Sequence, residues 1–167
     1  MNTSRQRFSS LSERLAASRE LSWQRHGKRI TFYLPGMFML DGVRGRYPAA
    51  SITGTDCAFA CEHCKGHILG TMLQTPTPEA LVETCLHLAA KGHYGFLLSG
   101  GCDSQGHLPW KAFAPAIAEI KELTELVISV HSGFISPEDA RLLRAAGVDQ
   151  ALIDVIGDED TLREIYH

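Results

Sequence analysis

The feature that most restricts the fold of this chain is a regular alternation, from Pro48 onward, of apolar segments with segments that carry helix signals. The apolar segments predict four β-strands, at 49–54, 94–101, 125–134 and 150–157. A predicted helix follows each strand, at 77–91, 110–123, 136–146 and 158–167. Strands that are nearly continuous apolar runs and alternate with helices are typical of a parallel sheet with both faces covered. The alternation therefore predicts the α/β class.

Capping residues support two of these helices. Thr77 is followed by a proline and Gly92 ends the segment, and Ser136 is again followed by a proline, with Gly147 at the end. Threonine or serine as N-cap, proline at the first helical position and glycine after the last turn are the residues that helix ends prefer.

The N-terminal part of the chain carries different signals. A helix is predicted from Ser9 to about His26, with Ser9 or Ser10 as cap and an end near Gly27, and "RITFYLPG" (29–36) predicts a short strand and turn. We therefore expect an N-terminal extension over 1–47 and a main domain over 48–167. Four βα units do not close an eight-stranded barrel. The main domain is predicted to be the N-terminal portion of a parallel (β/α) barrel, which a further segment or a partner would complete.

Composition excludes several classes of function. The net charge is −3 and the hydrophobic content 44%, so the chain lacks the clustered basic residues expected for binding nucleic acid or an anionic membrane. It has no run of 18 or more apolar residues, and its N-terminus lacks the apolar stretch of a signal peptide. We expect a cytoplasmic protein.

The stretch "TGTDCAFACEHCKGH" (53–67) contains three cysteines, Cys57, Cys61 and Cys64, with the spacing CxxxCxxC. Three thiols this close together in a reducing compartment are more typical of a metal or iron–sulfur site than of disulfides. Three thiolates can hold three irons of a [4Fe–4S] cluster and leave the fourth iron open to the amino and carboxylate groups of a small molecule. The alternative is a structural zinc site with His63, His67 or Cys102 as the fourth ligand.

Two motifs together resemble the radical S-adenosylmethionine (SAM) superfamily. They are "CAFACEHC" after the first strand and "LLSGG" at the end of the second, and the resemblance extends from about Ala49 to the chain end. It implies a barrel of the radical SAM type, a [4Fe–4S] cluster on the three cysteines, and SAM as cofactor. The resemblance also places Ser99, Gly100 and Gly101 beside the methionine group of SAM.

The resemblance implies further cofactor contacts, some of them with departures from the superfamily pattern. His63 stands where an aromatic residue is usual, and Asp103 stands near the position where many members have a glutamate. His131 lies at the end of the third strand from which barrel sites are built, although a hydrogen-bonded core histidine is the other interpretation. Asp154 interrupts an apolar strand and needs a partner, either the ribose of SAM, as the resemblance implies, or a structural salt bridge.

The implied function is reductive cleavage of SAM at the cluster, which gives a 5′-deoxyadenosyl radical that abstracts a substrate hydrogen. More narrowly, "GKRITFYLPG", "SITGTDCAFACEHCKGHIL" and "FLLSGGCDSQGHLPW" resemble the biotin-synthase-related branch that includes the subunits of two-protein lipoyl synthases. That resemblance implies a transferase that inserts sulfur into an octanoyl chain. Its partners would be a second radical SAM subunit, an acyl carrier protein and an electron donor. The alternative function is a zinc-stabilised accessory or binding module without catalysis.

Overall fold

The computed structural model describes residues 10–30, 32, 34–36 and 38–166. The chain divides into two compact units, 1–32 and 33–167. The first unit contains helix α1 (Leu11–His26), whose N-cap Ser10 accepts a hydrogen bond from the Glu13 N–H at 3.2 Å. The predicted N-terminal helix is therefore confirmed. The strand predicted at 29–36 falls partly on residues 31 and 33, which lie outside the described residues, and the rest of that stretch contains no strand.

The second unit begins with a small antiparallel hairpin that the sequence did not predict. Strands β1 (Met39–Leu40) and β2 (Val43–Arg44) pair across a tight turn. Asp41 and Gly42 both have positive φ there, 49° and 79°, as the two-residue turns favoured in hairpins require.

The main element of the second unit is a five-stranded sheet in the order β4-β3-β5-β6-β7, with every neighbouring pair parallel. Its strands are β3 (Ala49–Ser51), β4 (Leu73–Gln74), β5 (Gly95–Ser99), β6 (Val127–His131) and β7 (Gln150–Leu152). The predicted α/β class and parallel pairing are confirmed, and the arrangement is that of a partial (β/α) barrel. The short strand β4 was not predicted.

The helices follow the predicted boundaries closely. They are α2 (Pro78–Ala90), α3 (Trp110–Leu123), α4 (Pro137–Ala145) and the short α5 (Glu159–Thr161), which continues as one π-helical turn over Leu162–Tyr166. The Thr77 hydroxyl accepts a hydrogen bond from the Ala80 N–H and the Ser136 hydroxyl one from the Asp139 N–H, so both predicted N-caps are confirmed. The predicted fourth helix is thus reduced to two short turns, and its last residue, His167, lies outside the described residues.

The two faces of the sheet differ in character. One face packs against the helices and is fully apolar, with Ala50, Phe96, Leu98, Ile128 and Val130 each 1% exposed or less. Because side chains alternate along a strand, the intervening residues form the opposite face, and most of these are small or polar: Ser51, Leu97, Ser99, Ser129 and His131. Several residues of this second face are also buried, Ser51, Ser99 and Ser129 among them, so the sheet is apolar toward the helices and polar but covered on its other side.

The last predicted strand differs from the strand in the structure. The segment 150–157 was predicted as a buried strand, but β7 ends at Leu152 and all its residues are exposed. Beyond it, Ile153 is 63% and Val155 91% exposed. The reason is that β7 is an edge strand, with β6 on one side and no strand of the described residues on the other. In the part of the chain that the structure describes, no helix has the length and apolar character needed to cross a membrane.

Candidate functional site

A cavity of about 600 Å³ opens at the carboxyl ends of the parallel strands. Its walls come from the cysteine loop after β3 and from the segments that follow β5, β6 and β7. Ligands of open α/β sheets bind at this end of the strands, and the volume is in the range of small-molecule sites. Of the residues predicted for the site, these line the cavity: Cys57, Cys61, Cys64, His63, Ser99, Gly100, Gly101, His131 and Asp154.

The cysteine loop is shaped by its own backbone. The Cys61 carbonyl accepts hydrogen bonds from the N–H groups of Cys64 (2.9 Å) and Lys65 (2.7 Å). Ala60 and Lys65 have positive φ, 47° and 48°, a conformation that costs non-glycine residues roughly 1–2 kcal/mol each. Backbone strain of this kind persists where the surrounding structure imposes it and is concentrated at functional sites.

The loop thiols differ in acidity. Burial tends to raise the pKa of Cys57, but hydrogen bonds, above all those from the backbone of Ala60 and Cys102, hold that pKa below its ordinary value. Burial raises the pKa of Cys61, and the neighbouring thiols of Cys57 and Cys64 raise it further. A low pKa favours the thiolate, which is the form that binds metals. Cys57 is thus a loop thiol whose surroundings favour the thiolate.

The glycine segment after β5 lies directly against the cysteine loop. The Gly101 N–H donates a hydrogen bond to the Thr53 hydroxyl at 2.7 Å. A Cβ atom on Gly101 would lie 2.0 Å from the Asp56 carbonyl oxygen and 2.4 Å from the Cys57 Cβ. Neither Gly100 nor Gly101 has a positive φ, so a turn conformation is not what requires glycine. The close approach of the two loops requires it.

Cys102 adds a fourth thiol to the cavity wall. Its Sγ lies 4.0 Å from the Cys57 Sγ, and its carbonyl accepts a hydrogen bond from the Ala58 N–H at 2.8 Å. Burial, followed by the adjacent Cys57, raises the pKa of Cys102 to about 11. Cys102 is therefore a neutral thiol near neutral pH.

Asp103 does not take the place predicted for it. Its side chain is 57% exposed, and it does not belong to the cavity lining. Its carboxylate accepts hydrogen bonds from the N–H groups of Gln105 (2.8 Å) and His107 (3.0 Å). A short-range bond of this type between an aspartate and its own backbone stabilises a turn, so the structure gives Asp103 a role in shaping the loop.

His131 and Asp154 meet in the cavity lining. Their Nε2 and Oδ1 atoms are 3.3 Å apart, and the Tyr166 hydroxyl donates to the other Asp154 oxygen at 3.4 Å. Asp154 was expected to be a buried carboxylate, but it lies beyond β7 and its side chain is 50% exposed, so no large desolvation cost arises. Its partner in the structure is a histidine that the sequence had predicted separately.

Sequence reasoning missed Tyr166. Its carbonyl accepts a hydrogen bond from the Cys61 thiol at 3.5 Å, and its ring lies 5.0 Å from the ring of His63. The Ile165 carbonyl also accepts a bond from the Glu62 N–H at 2.9 Å. No local pattern relates residues about a hundred positions apart in sequence. Thr53 was missed as well, although a hydroxyl just beyond the carboxyl end of a strand is a usable signal.

The donors around the cavity do not converge on a single point. Among the described residues, no three His, Cys, Asp or Glu side chains are grouped as one metal ion requires. A zinc ion needs its four ligands on one atom, whereas the thiolates of a [4Fe–4S] cluster each bind a separate iron. The three thiols that line the cavity can each bind a separate iron of such a cluster.

These features define a β/α protein with a thiol-lined cofactor cavity at the carboxyl ends of its strands. Residues 51–167 match the radical SAM superfamily, and the chain belongs to this superfamily. No curated protein matches the chain. The resemblance to the superfamily is confirmed, and membership implies a [4Fe–4S] cluster and SAM as cofactors. The donor set fits both groups, because three thiols and the glycine segment share one cavity wall.

Proposed function

We propose that Cys57, Cys61 and Cys64 hold the [4Fe–4S] cluster and that this chain uses it to make the radical for inserting sulfur, which the partner subunit would supply as iron-bound sulfide, into an octanoyl chain on a carrier protein. One observation carries the proposal. This chain belongs to the radical SAM superfamily, and its three cysteines and its glycine segment line the same cavity at the carboxyl ends of the strands. When bound, the cluster and SAM supply reductive cleavage of SAM to a radical that removes a hydrogen atom from the substrate.

The residues of the chain contribute binding, orientation and the exclusion of water. The backbone of Ser99, Gly100 and Gly101 forms the wall next to the cysteine loop, where a ligand can approach without side chains in the way. The paired His131 and Asp154 offer hydrogen-bonding groups for the hydroxyls of a nucleoside. Both are partly exposed to the cavity and can therefore reach a ligand.

The remaining lining supports an apolar substrate. Besides His67, Cys102, Tyr166 and glycines, it contains nine apolar side chains: Phe59, Ile68, Leu69, Met72, Leu97, Leu108, Phe134, Ile153 and Ile156. Moving one methylene group from water into apolar surroundings gains about 0.8 kcal/mol. An octanoyl chain would gain this for each methylene it buries, which favours it over a short polar substrate. The partners proposed are a second radical SAM subunit, an acyl carrier protein and an electron donor.

The test begins with the metal. Protein purified without oxygen is analysed for iron, sulfide and zinc, and the alanine variants of Cys57, Cys61 and Cys64 are compared with Cys85→Ala and Cys102→Ala. We expect four irons with sulfide in the wild type and loss of the cluster in each loop variant. Both controls should keep full iron, because Cys85 is buried away from the cavity and Cys102, although it lines the cavity, lies outside the CxxxCxxC loop. One zinc without iron would support the binding module instead.

The second step tests the substrate. SAM, a reductant and octanoylated carrier protein are added, with and without a candidate partner subunit, and 5′-deoxyadenosine and thiolated product are measured. We expect both products with the octanoylated carrier. If 5′-deoxyadenosine forms but the octanoyl group never gains sulfur, the substrate is wrong and SAM cleavage stands.

If Cys102→Ala loses the cluster as completely as Cys61→Ala, Cys102 is a ligand and no open iron remains.

A further inference from the structure

We propose that Cys57 and Cys102 form a reversible disulfide bond in the cluster-free protein, and that this bond must be reduced before Cys57 can bind iron. The first part depends only on the arrangement of two thiols. The second part rests on the proposed function, because it takes Cys57 to be a cluster ligand. The bond would act as a redox gate on cluster assembly.

The two sulfur atoms are already in contact. They lie 4.0 Å apart, although the residues are 45 positions apart in sequence. A disulfide requires about 2.0 Å between the sulfurs. Side-chain rotation of the two cysteines has to close the remaining distance of roughly 2 Å, which is less than the span of one side chain.

The backbone on both sides of the pair is held in place by protein groups alone. The Ala58 N–H donates to the Cys102 carbonyl at 2.8 Å, and the Gly101 N–H donates to the Thr53 hydroxyl at 2.7 Å. The absence of a side chain on Gly101 lets these segments touch. Because none of these contacts involves a cluster, the two thiols remain neighbours in the cluster-free protein. Their effective concentration is correspondingly high.

Small oxidants can reach the pair. Both cysteines are partly exposed and line the cavity. Cys85, in contrast, is 0% exposed within the core. The accessible pair should therefore oxidise while Cys85 stays reduced, which makes Cys85 an internal control.

The oxidant is a small disulfide such as oxidised glutathione. The Cys57 thiolate attacks one of its sulfurs, the glutathione S–S bond breaks, and one glutathione thiolate leaves. Cys102 then loses its proton and attacks the Cys57 sulfur in the mixed disulfide, which releases the second glutathione thiolate. In sum, the two cysteines give up two electrons and two protons, and one oxidised glutathione becomes two reduced molecules.

The test uses the full chain, stripped of iron with a chelator and incubated with oxidised glutathione. Free thiols are counted with time, and cross-linked peptides are mapped by mass spectrometry. We expect the wild type to lose two of its five thiols and to yield the peptide pair that contains Cys57 and Cys102. Cys85→Ala should also lose two thiols, at an unchanged rate. Cys102→Ala and Cys102→Ser should lose one thiol and keep Cys57 as its mixed disulfide with glutathione, because no Cys102 thiol is there to displace the glutathione. Circular dichroism checks that both variants are folded.

Two results would overturn the proposal: a wild-type cross-link confined to Cys57, Cys61 and Cys64, or oxidised wild type in which Cys57 still carries glutathione, as it does in the Cys102 variants. Iron uptake is the second measurement. Oxidised wild type should take up iron only after reduction with dithiothreitol, and uptake before reduction would refute the gate. If reduced wild type binds no iron although the cross-link forms, the cluster assignment fails and the disulfide remains.

Discussion

The thiols of this protein lie in different electrostatic surroundings, although they belong to one residue type. Backbone hydrogen bonds, outweighing burial, lower the pKa of Cys57, whereas burial raises the pKa of Cys102 to about 11 and that of Cys85 to about 12. Only the thiolate reacts with alkylating agents or binds metal. The reactivity of each thiol is therefore a measure of its surroundings.

We predict an order of alkylation in the reduced, iron-free protein. At pH 8, iodoacetamide should modify Cys57 before Cys102, and Cys85 last, because a lower pKa leaves a larger fraction of thiolate at that pH. Below pH 11 the rate at Cys102 should rise about tenfold for each pH unit, because its thiolate fraction rises by that factor. Mass spectrometry of each peptide over a pH series measures these rates. In urea the three should react alike, and faster modification of Cys102 than of Cys57 at pH 8 in the folded protein would contradict the prediction.

The sequence predicted which residues line the site better than it predicted the partners of their side chains. The cysteine spacing and the glycines after the second strand were recognisable because the motif is local in sequence. The resemblance implied SAM contacts for Asp103 and, as one of two possibilities, for Asp154; in the structure Asp103 accepts hydrogen bonds from its own loop and Asp154 pairs with His131. A carboxylate has several possible partners, and only the folded chain decides which one is within reach.

At the scale of elements, helix ends were predictable and strand extents were not. The N-caps Thr77 and Ser136 act over three residues, so their signal is contained in the adjacent sequence. Strand β4 has two residues, Leu73 and Gln74, which is too short for an alternating pattern. It is a strand because its backbone pairs with β3, and pairing of this kind has no local signature.

The contact between two loops leads to a prediction for Gly101→Ala. The new Cβ would meet the Asp56 carbonyl oxygen and the Cys57 side chain, so the cysteine loop must move. We expect a loss of roughly 1–3 kcal/mol in the free energy of unfolding and a lower iron content after reconstitution. Gly157→Ala is the matched control, because nothing lies within 4 Å of its added Cβ. Urea denaturation and iron analysis measure both effects, and normal iron loading of Gly101→Ala would show that the loop tolerates the methyl group.

At the scale of the molecule, the sheet has an exposed edge. The strand β7 presents its backbone on one side, and the segment after it is apolar, with Val155 91% exposed. Edge strands of this kind pair with other chains unless a charge or a covering element prevents it. The same edge would accept the further strand that completes the barrel, which remains a prediction.

We predict that Val155→Lys reduces self-association of this chain. A lysine beside the edge disfavours pairing with a second copy, and Val155 does not belong to the cavity lining, so iron content should stay unchanged. Leu123→Lys, at the end of α3 and 58% exposed, is the control for removing an apolar surface residue elsewhere. Light scattering over a concentration series should fall for Val155→Lys alone. An equal fall in both variants would indicate unspecific hydrophobic association rather than pairing at the edge.

The sequence by itself determined the α/β class, the helix ends, the cysteine loop and the membership of the radical SAM superfamily, because each depends on periodicity, capping or a motif within a few neighbouring residues. Tertiary structure decided which side of the sheet is apolar, why Gly101 must lack a side chain, and that Tyr166 lies beside the cysteine loop. It also placed the Cys102 thiol against Cys57. These contacts join residues tens to about a hundred positions apart, and they exist only because parallel strands bring their carboxyl ends to one edge of the sheet.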